Sequence, residues 1–418
     1  MLPALAAWTV MTHLGLEGKV APTTEELVAR AAGLREQLHA ESDAAEERGG
    51  YSPEMHQAFV DAGFYRMLQP RMFGGYEMDL ADYFRVIIEI GRGDPQTGWA
   101  LCLAAGHAFQ IGAFFSEPAQ TEIFGIEGDV VIPSRAVPGG TATRVDGGWQ
   151  VDGTWDYCSG ATYATHALLL ALTPQPAGPP ERRMVVLPRS DFEILDDWGG
   201  GRTLGLGGTG SNSIRVEGRF VPDHLAVTYD WKDYVMPEGG TLGYKLHGNP
   251  QYTGRSLTFF YGELNCTQVG TARCALDVYT EAALERKTSF PPPMPRSESA
   301  DYQRWVGEAA SLTDTAEIAL LGAAERYTAA CHRWADHGEP FTVAHDAALR
   351  DVCAQAGKLA WNAVDLMFAT GGSTAAKRGS RLQRCFRDAM MFRTHIGAQY
   401  DVISGSTGRV LLGQPLTH

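Results

Sequence analysis

Asp388 and His395 stand seven residues apart in the stretch SRLQRCFRDAMMFRTHIGAQYDVISGSTGRVLLG (380–413). Read as one amphipathic helix, this stretch places Asp388, Met391 or Phe392, and His395 on a single face. That face is otherwise apolar, and burying a carboxylate and an imidazole there is costly unless each finds a partner. An imidazole so placed can move a proton or hold a hydrogen bond near neutral pH. A core histidine satisfied by a backbone carbonyl would leave the same trace, so the rest of the chain has to decide. A glycine-rich loop (Gly371, Gly372, Ser373) precedes the stretch, and Gly405 and Gly408 lie near its end.

The elements that would position these residues fall into three regions. From Thr23 to about Gly128 the pattern is helical, with Glu25–Glu47 rich in Ala, Leu, Glu and Arg. Ser52-Pro53 reads as a helix cap with proline at the first position. Leu80–Arg92 repeats apolar residues at helical spacing, and Thr97–Phe115 reads as one buried helix. Near Val130 the period becomes alternating. Thr143–Tyr157 reads as a hairpin about Gly147-Gly148, followed by strands at Ala167–Leu172, Met184–Leu187 and Ser213–Val221. Tyr229–Gly254 shows no pattern and reads as a lid. Four long helices follow: Phe259–Lys287, Tyr302–His337, Val343–Ala369 and Leu382–Ser404. The expected division is therefore 1–21 an extension without order, 22–129 an N-terminal helical domain, 130–228 a central β domain, 229–254 a loop, and 255–418 a four-helix bundle.

Composition narrows the function classes. The 418 residues carry a net charge of −14, which argues against nucleic acid or an anionic membrane as the main partner. No stretch reaches the length of a bilayer helix. The seven cysteines are scattered without a CxxC pair, as expected of small buried hydrophobes in a reducing cytoplasm. No spacing suggests a metal site, no Gly-x-Ser-x-Gly elbow points to a hydrolase, and no strand–GxGxxG–helix unit points to a nicotinamide site.

Six motifs in order, RMFGGYEMDL (71–80), GDPQTGWALCLAAGH (93–107), WDYCSG (155–160), GLGGTGSNSIRVEGRFVPDH (205–224), GGS (371–373) and QRCFRDAMMFRTH (383–395), carry a resemblance. Across about residues 23–415 the chain resembles the acyl-CoA dehydrogenase superfamily, in its flavin-dependent monooxygenase branch. That branch holds the oxygenase components of two-component aromatic hydroxylases, such as those acting on 4-hydroxyphenylacetate and on phenolic seco-steroids. The resemblance implies an α+β fold of N-terminal helices, a central β-barrel-like domain and a C-terminal four-helix bundle, assembled as a homotetramer. It implies hydroxylation of a small aromatic, phenolic substrate by dioxygen through a flavin hydroperoxide. Reduced FMN or FAD would come from a separate NAD(P)H-dependent flavin reductase.

Site residues follow from the same resemblance. His395 matches the histidine that activates the phenol or steadies the peroxide, Ser159 the residue that hydrogen-bonds the reactive flavin nitrogen, and Ser134 a pocket serine. Trp99 and His107 match a Trp and a His along the pocket wall. Thr209 and Ser211 lie in the glycine-rich run facing the site. Arg286, Gly371, Gly372 and Ser373 would meet the flavin phosphate or adenine end, with Arg286 reaching a neighbouring subunit's cofactor. Arg387 and Asp388 are expected to orient helices through a buried ion pair. Aligning that pair with the family puts Ile396 where many dehydrogenases keep their catalytic glutamate, and isoleucine accepts no proton. Glu263, on the first bundle helix, is the alternative position for such a base. An acyl-CoA dehydrogenase and an N- or S-oxygenase of the same branch stay open as alternatives. The aromatic residues Trp231, Tyr234, Tyr244, Tyr252, Phe259 and Phe260 could shape a substrate pocket or merely pack a loop.

Overall fold

The computed structural model describes residues 21–126, 128–230 and 234–417. The proposed extension and Trp231 therefore lie outside the described residues, apart from Ala21. The first helix, Thr24–Gly33, is started by a capping box in which the Thr23 hydroxyl accepts from the Glu26 amide and the Glu26 carboxylate from the Thr23 amide. A second helix, Arg35–Arg48, continues after a break at Leu34, and Ser52 caps Pro53–Ala62. Leu80–Gly93 packs against the first two. The single helix expected over Thr97–Phe115 is two, Pro95–Ala105 and Ala108–Phe114, and His107 sits in the bend between them. Asp94 begins the first by accepting from the Thr97 amide. A short helix, Glu117–Phe124, leads to the sheet.

Seven strands, β1 Ser134–Val145, β2 Gly148–Trp155, β3 His166–Thr173, β4 Glu181–Pro188, β5 Glu193–Ile194, β6 Ile214–Pro222 and β7 Ala226–Thr228, form one mixed sheet in the order β5-β6-β2-β1-β3-β4-β7. β1 and β2 pair around the predicted turn, Val145 opposite Gly148, while β1 and β3 run parallel. The sequence pattern missed β1 before Thr143, because Pro138-Gly139-Gly140 reads as a loop. Its ladder is indeed displaced between Arg135 and Gly140. β5 and β7 are too short to show a period.

Leu257–Glu285, Ala300–His337 and Val343–Thr370 form the long helices of the C-terminal bundle. The expected fourth helix, and with it the single helix over 380–413, is instead Arg381–Phe392, a short turn at Ile396–Ala398, and Tyr400–Leu411. The chain leaves helical geometry at His395 (φ −74°, ψ 150°). Gly397 then lies so close to the first bundle helix that a β-carbon there would come within 2.7 Å of Leu264. Among the described residues no helix is long and apolar enough to cross a membrane.

Candidate active site

Trp99, buried on the helix Pro95–Ala105, touches both halves of the site. Its indole N–H donates to the Ser159 hydroxyl at 3.0 Å. Ser159 Oγ lies 2.7 Å from Ser211 Oγ, which lies 2.6 Å from Thr209 Oγ1, and Thr209 donates to the Leu206 carbonyl at 2.8 Å. Two loops of the β domain supply these hydroxyls. They are laced together by bonds from the Gly160 amide to Thr209 O (2.9 Å) and from the Ala161 amide to Gly210 O (3.0 Å). Ser159, Thr209 and Ser211, singled out separately in the sequence, are thus one connected group.

On the other side of Trp99 stands His395, with ring centroids 5.5 Å apart. Phe392 stacks on the same imidazole at 5.8 Å. The Gly397 amide donates to His395 Nδ1 at 3.0 Å, so the neutral ring carries its hydrogen on Nε2. Burial, reinforced by the Arg135 guanidinium, lowers its pKa to about 4. The ring is therefore neutral at physiological pH and offers an N–H rather than a lone pair. Beside it Ile396 is 59% exposed, as is 52% of Tyr157 before Ser159. Tyr157 (φ 60°) and Leu206 (φ 55°) are two of the three non-glycine residues with left-handed backbone among those described. Such strain persists only where the surroundings impose it. A flat heteroaromatic ring with a polar edge, such as isoalloxazine, fits this apolar, hydroxyl-edged surface.

Arg387 and Asp388 do not form the expected pair. Adjacent helix positions diverge by about 100°, so each side chain finds a different neighbour. Arg387 grips Glu46 through two bonds of 2.5 and 2.8 Å, tying the last bundle segment to Arg35–Arg48. Asp388 accepts from the Leu206 amide at 2.6 Å and so anchors the foot of the hydroxyl chain. Burial raises its pKa to about 7, against the lowering effect of the Leu206 bond.

His107 is separated from His395. Its Nδ1 faces the Ile132 carbonyl at 2.9 Å and must donate, which leaves a lone pair on Nε2, 3.9 Å from Glu263 Oε1. Burial lowers its pKa, again to about 4. Glu263 is buried, one of its oxygens has no hydrogen-bond partner, and burial pushes its pKa well up. It faces Tyr83 and Gly106, whereas the neighbouring Leu264 faces Gly397. A carboxyl kept neutral there is a poor base.

Ser134 lies in a cleft with Arg135, Gln110, Leu168, Met184 and Phe260. Tyr229 and Phe260 line that cleft as well. Phe259 stacks on Phe109 at 4.9 Å, and Tyr244 packs edge-on against Trp334 at 4.8 Å, both as packing contacts. Arg135 escaped the sequence reading. Half-buried, it forms no ion pair among the described residues, and its guanidinium lies 5.8 Å from the Tyr157 ring centre. It both lines the cleft and acts on His395. No motif marks it; a lone arginine where a buried apolar run turns into a strand is the only signal.

Arg286 is exposed just past the end of the first bundle helix. From Leu264 to Arg286 the helix advances roughly 33 Å at about 1.5 Å per residue. Arg286 therefore cannot touch the same ring as Ser159 and His395 of its own chain. Gly371 is held near that end by Arg296, which donates to its carbonyl at 3.3 Å and covers the Tyr302 ring at 4.7 Å. Gly372 and Ser373 are exposed beside it.

Comparison with known proteins agrees with this architecture. The acyl-CoA dehydrogenase N-terminal domain matches residues 23–123 and the acyl-CoA dehydrogenase C-terminal domain residues 265–400. The chain is 30% identical over 363 residues to the flavin-dependent monooxygenase oxygenase subunit HsaA of Rhodococcus jostii, covering 86% of this chain and 91% of that one. It is 27% identical to the oxygenase component of p-hydroxyphenylacetate 3-hydroxylase from Acinetobacter baumannii, over 90% of this chain and 86% of the relative. The crystal structure of the HsaA monooxygenase from M. tuberculosis superposes with a TM-score of 0.85 at 25% identity, covering 95% of this chain and 99% of that one.

Proposed function

The chain belongs to the acyl-CoA dehydrogenase family, and we propose that it is the oxygenase component of a two-component flavin-dependent monooxygenase that hydroxylates a phenolic substrate. Its cofactor is reduced FMN or FAD, its co-substrate dioxygen, and its partner a separate flavin reductase. The bound reduced flavin supplies the electrons that activate dioxygen. The observation that carries the reading is the junction at Trp99, where Ser159 and His395 meet and position 396 offers no carboxylate.

In this reading Ser159, backed by Ser211 and Thr209, holds the polar edge of the flavin ring. The Nε2–H of His395 would stabilise the oxygen that gains charge during hydroxylation, a donor's role rather than the removal of a proton. Trp99 and Phe392, packed against the ring, would shield that bond from water on their side and so strengthen it. Ser134 and Arg135 line the approach for the aromatic substrate, and the Arg135 charge disfavours a second proton on His395. His107 belongs to the wall behind that approach. Arg387 and Asp388 position the last bundle segment and the Leu206 loop. Arg286, Gly371, Gly372 and Ser373 serve the phosphate end of a flavin held by a neighbouring chain, which requires an oligomer, a homotetramer in this reading. A cytoplasmic location fits the seven free, buried cysteines.

The test couples the protein to a flavin reductase and NAD(P)H under isotopically labelled dioxygen, with p-hydroxyphenylacetate as the first phenol tried. One labelled oxygen should enter the product. Oxidation of an acyl thioester by an artificial electron acceptor without dioxygen uptake would instead assign the chain to dehydrogenation.

A further inference from the structure

The hydroxyl chain beneath the proposed flavin site has only one possible direction. The Leu206 carbonyl can only accept, and besides the Thr209 hydroxyl it receives the Trp198 indole N–H at 3.1 Å. Thr209 therefore spends its single hydroxyl hydrogen there. The 2.6 Å contact between Ser211 and Thr209 then needs the hydrogen of Ser211, and the 2.7 Å contact between Ser159 and Ser211 needs that of Ser159. The last link agrees, because the Trp99 indole can only donate, and it donates to Ser159. Ser159, Ser211, Thr209 and Trp99 are all at least nine-tenths buried, so water does not readily reverse the order. Asp388 fixes the far end by holding the Leu206 amide. Ser159 Oγ is left with its hydrogen used, one lone pair used and one lone pair free. It can accept a further bond but cannot donate one.

The two redox states of an isoalloxazine differ at this point. The reduced ring carries a hydrogen on N5 and donates, whereas the oxidised ring has a bare N5 that accepts. Given the reading that flavin binds against Ser159, we infer that Thr209 and Ser211 set the polarity of Ser159 so that the site selects reduced flavin over oxidised flavin. They are positioning residues, acting through Ser159. An oxygenase component that receives its flavin already reduced gains from rejecting the oxidised form, which would otherwise occupy the site unproductively.

The experiment measures dissociation constants of oxidised FMN and FAD, and of the same flavins reduced anaerobically, for the wild type, T209V, T209S and S211A. In T209V the Ser211 hydrogen loses its acceptor and can turn to Ser159, whose own hydrogen is then free for the oxidised ring. In S211A the hydrogen of Ser159 is freed directly. The ratio of oxidised to reduced dissociation constants should fall roughly tenfold in both, with T209S close to the wild type. A tenfold fall corresponds to a drop of about 30 mV in the bound two-electron potential. Loss of packing alone would weaken both redox states together and leave the ratio in place. An unchanged ratio in T209V and S211A overturns the inference. S159A separates it from the functional reading: if that variant alters neither flavin affinity, the flavin is not at Ser159, and the site assignment itself falls.

Discussion

His395, half-buried, and His107, buried, are two imidazoles whose pKa is brought near 4 chiefly by loss of water, yet they present opposite faces of the same chemistry. His395 accepts from a backbone amide and keeps an N–H for whatever lies before it. His107 donates to a backbone carbonyl and keeps a lone pair, turned toward Glu263. Loss of water decides how hard each ring is to protonate, but one backbone contact decides which atom carries the hydrogen. Histidines alike in sequence and in pKa are therefore not interchangeable as acid, base or donor.

The largest test of that contrast is at His395. Replacement by alanine should slow hydroxylation by about two to three orders of magnitude, as for loss of one donor to a developing charge. H395Q, whose amide still donates, should retain more turnover than H395A in a steady-state product assay. Equal loss in both would mean that the imidazole acts as a base and that the donor assignment is wrong.

Glu263 tests the other imidazole's surroundings. Its folded-state pKa lies above the unfolded value, so its contribution is fully present below about pH 4.5 and is lost as pH rises. E263Q removes that penalty. Denaturant unfolding should find the variant more stable than the wild type at pH 8 by on the order of 1–2 kcal/mol, with a smaller difference at pH 5. A variant destabilised at both values would show that the carboxylate is charged and paired in the folded protein.

The two rings share a third expectation. Each has a folded pKa below that of the free imidazole, so the unfolded chain binds more protons between about pH 4 and 6.5. Stability from these rings is therefore present above 6.5 and is lost as pH falls toward 4. The acidic limb of kcat/KM from His395 should likewise lie near 4. A limb near 6.5 would mean that this half-buried ring keeps its water shell.

The smallest effect separates the rings again. R135Q removes the charge that opposes protonation of His395, while no such cation acts on His107. Ring titration by NMR should show the His395 pKa rising in the variant and that of His107 unmoved. Parallel movement of both would point to a general change in burial.

Much of this was legible in the residues. The helical regions, the Gly147-centred hairpin and the Ser52-Pro53 helix start declare themselves because local periodicity and turn chemistry act over a few residues. β5, β7 and the start of β1 do not, since their pairing is imposed by neighbours. The break at His395 is equally hidden, since the segment after it packs, at Gly397, on Leu264 more than a hundred residues earlier. The same holds for the partners of Arg387 and Asp388, and for Arg135, whose significance lies in what stands across the cleft.

By itself the sequence determined the order of helices, sheet and bundle, the absence of a carboxylate at position 396, and the presence of Trp99, Ser159, Thr209, Ser211 and His395. Patterning and residue type are local properties, and no later event alters them. Only the tertiary structure decided that four of those residues form one directed hydrogen-bonded chain, and that His395 offers a hydrogen where His107 offers a lone pair. Directionality belongs to contacts between distant segments, and each bond is fixed by what its neighbour has already spent.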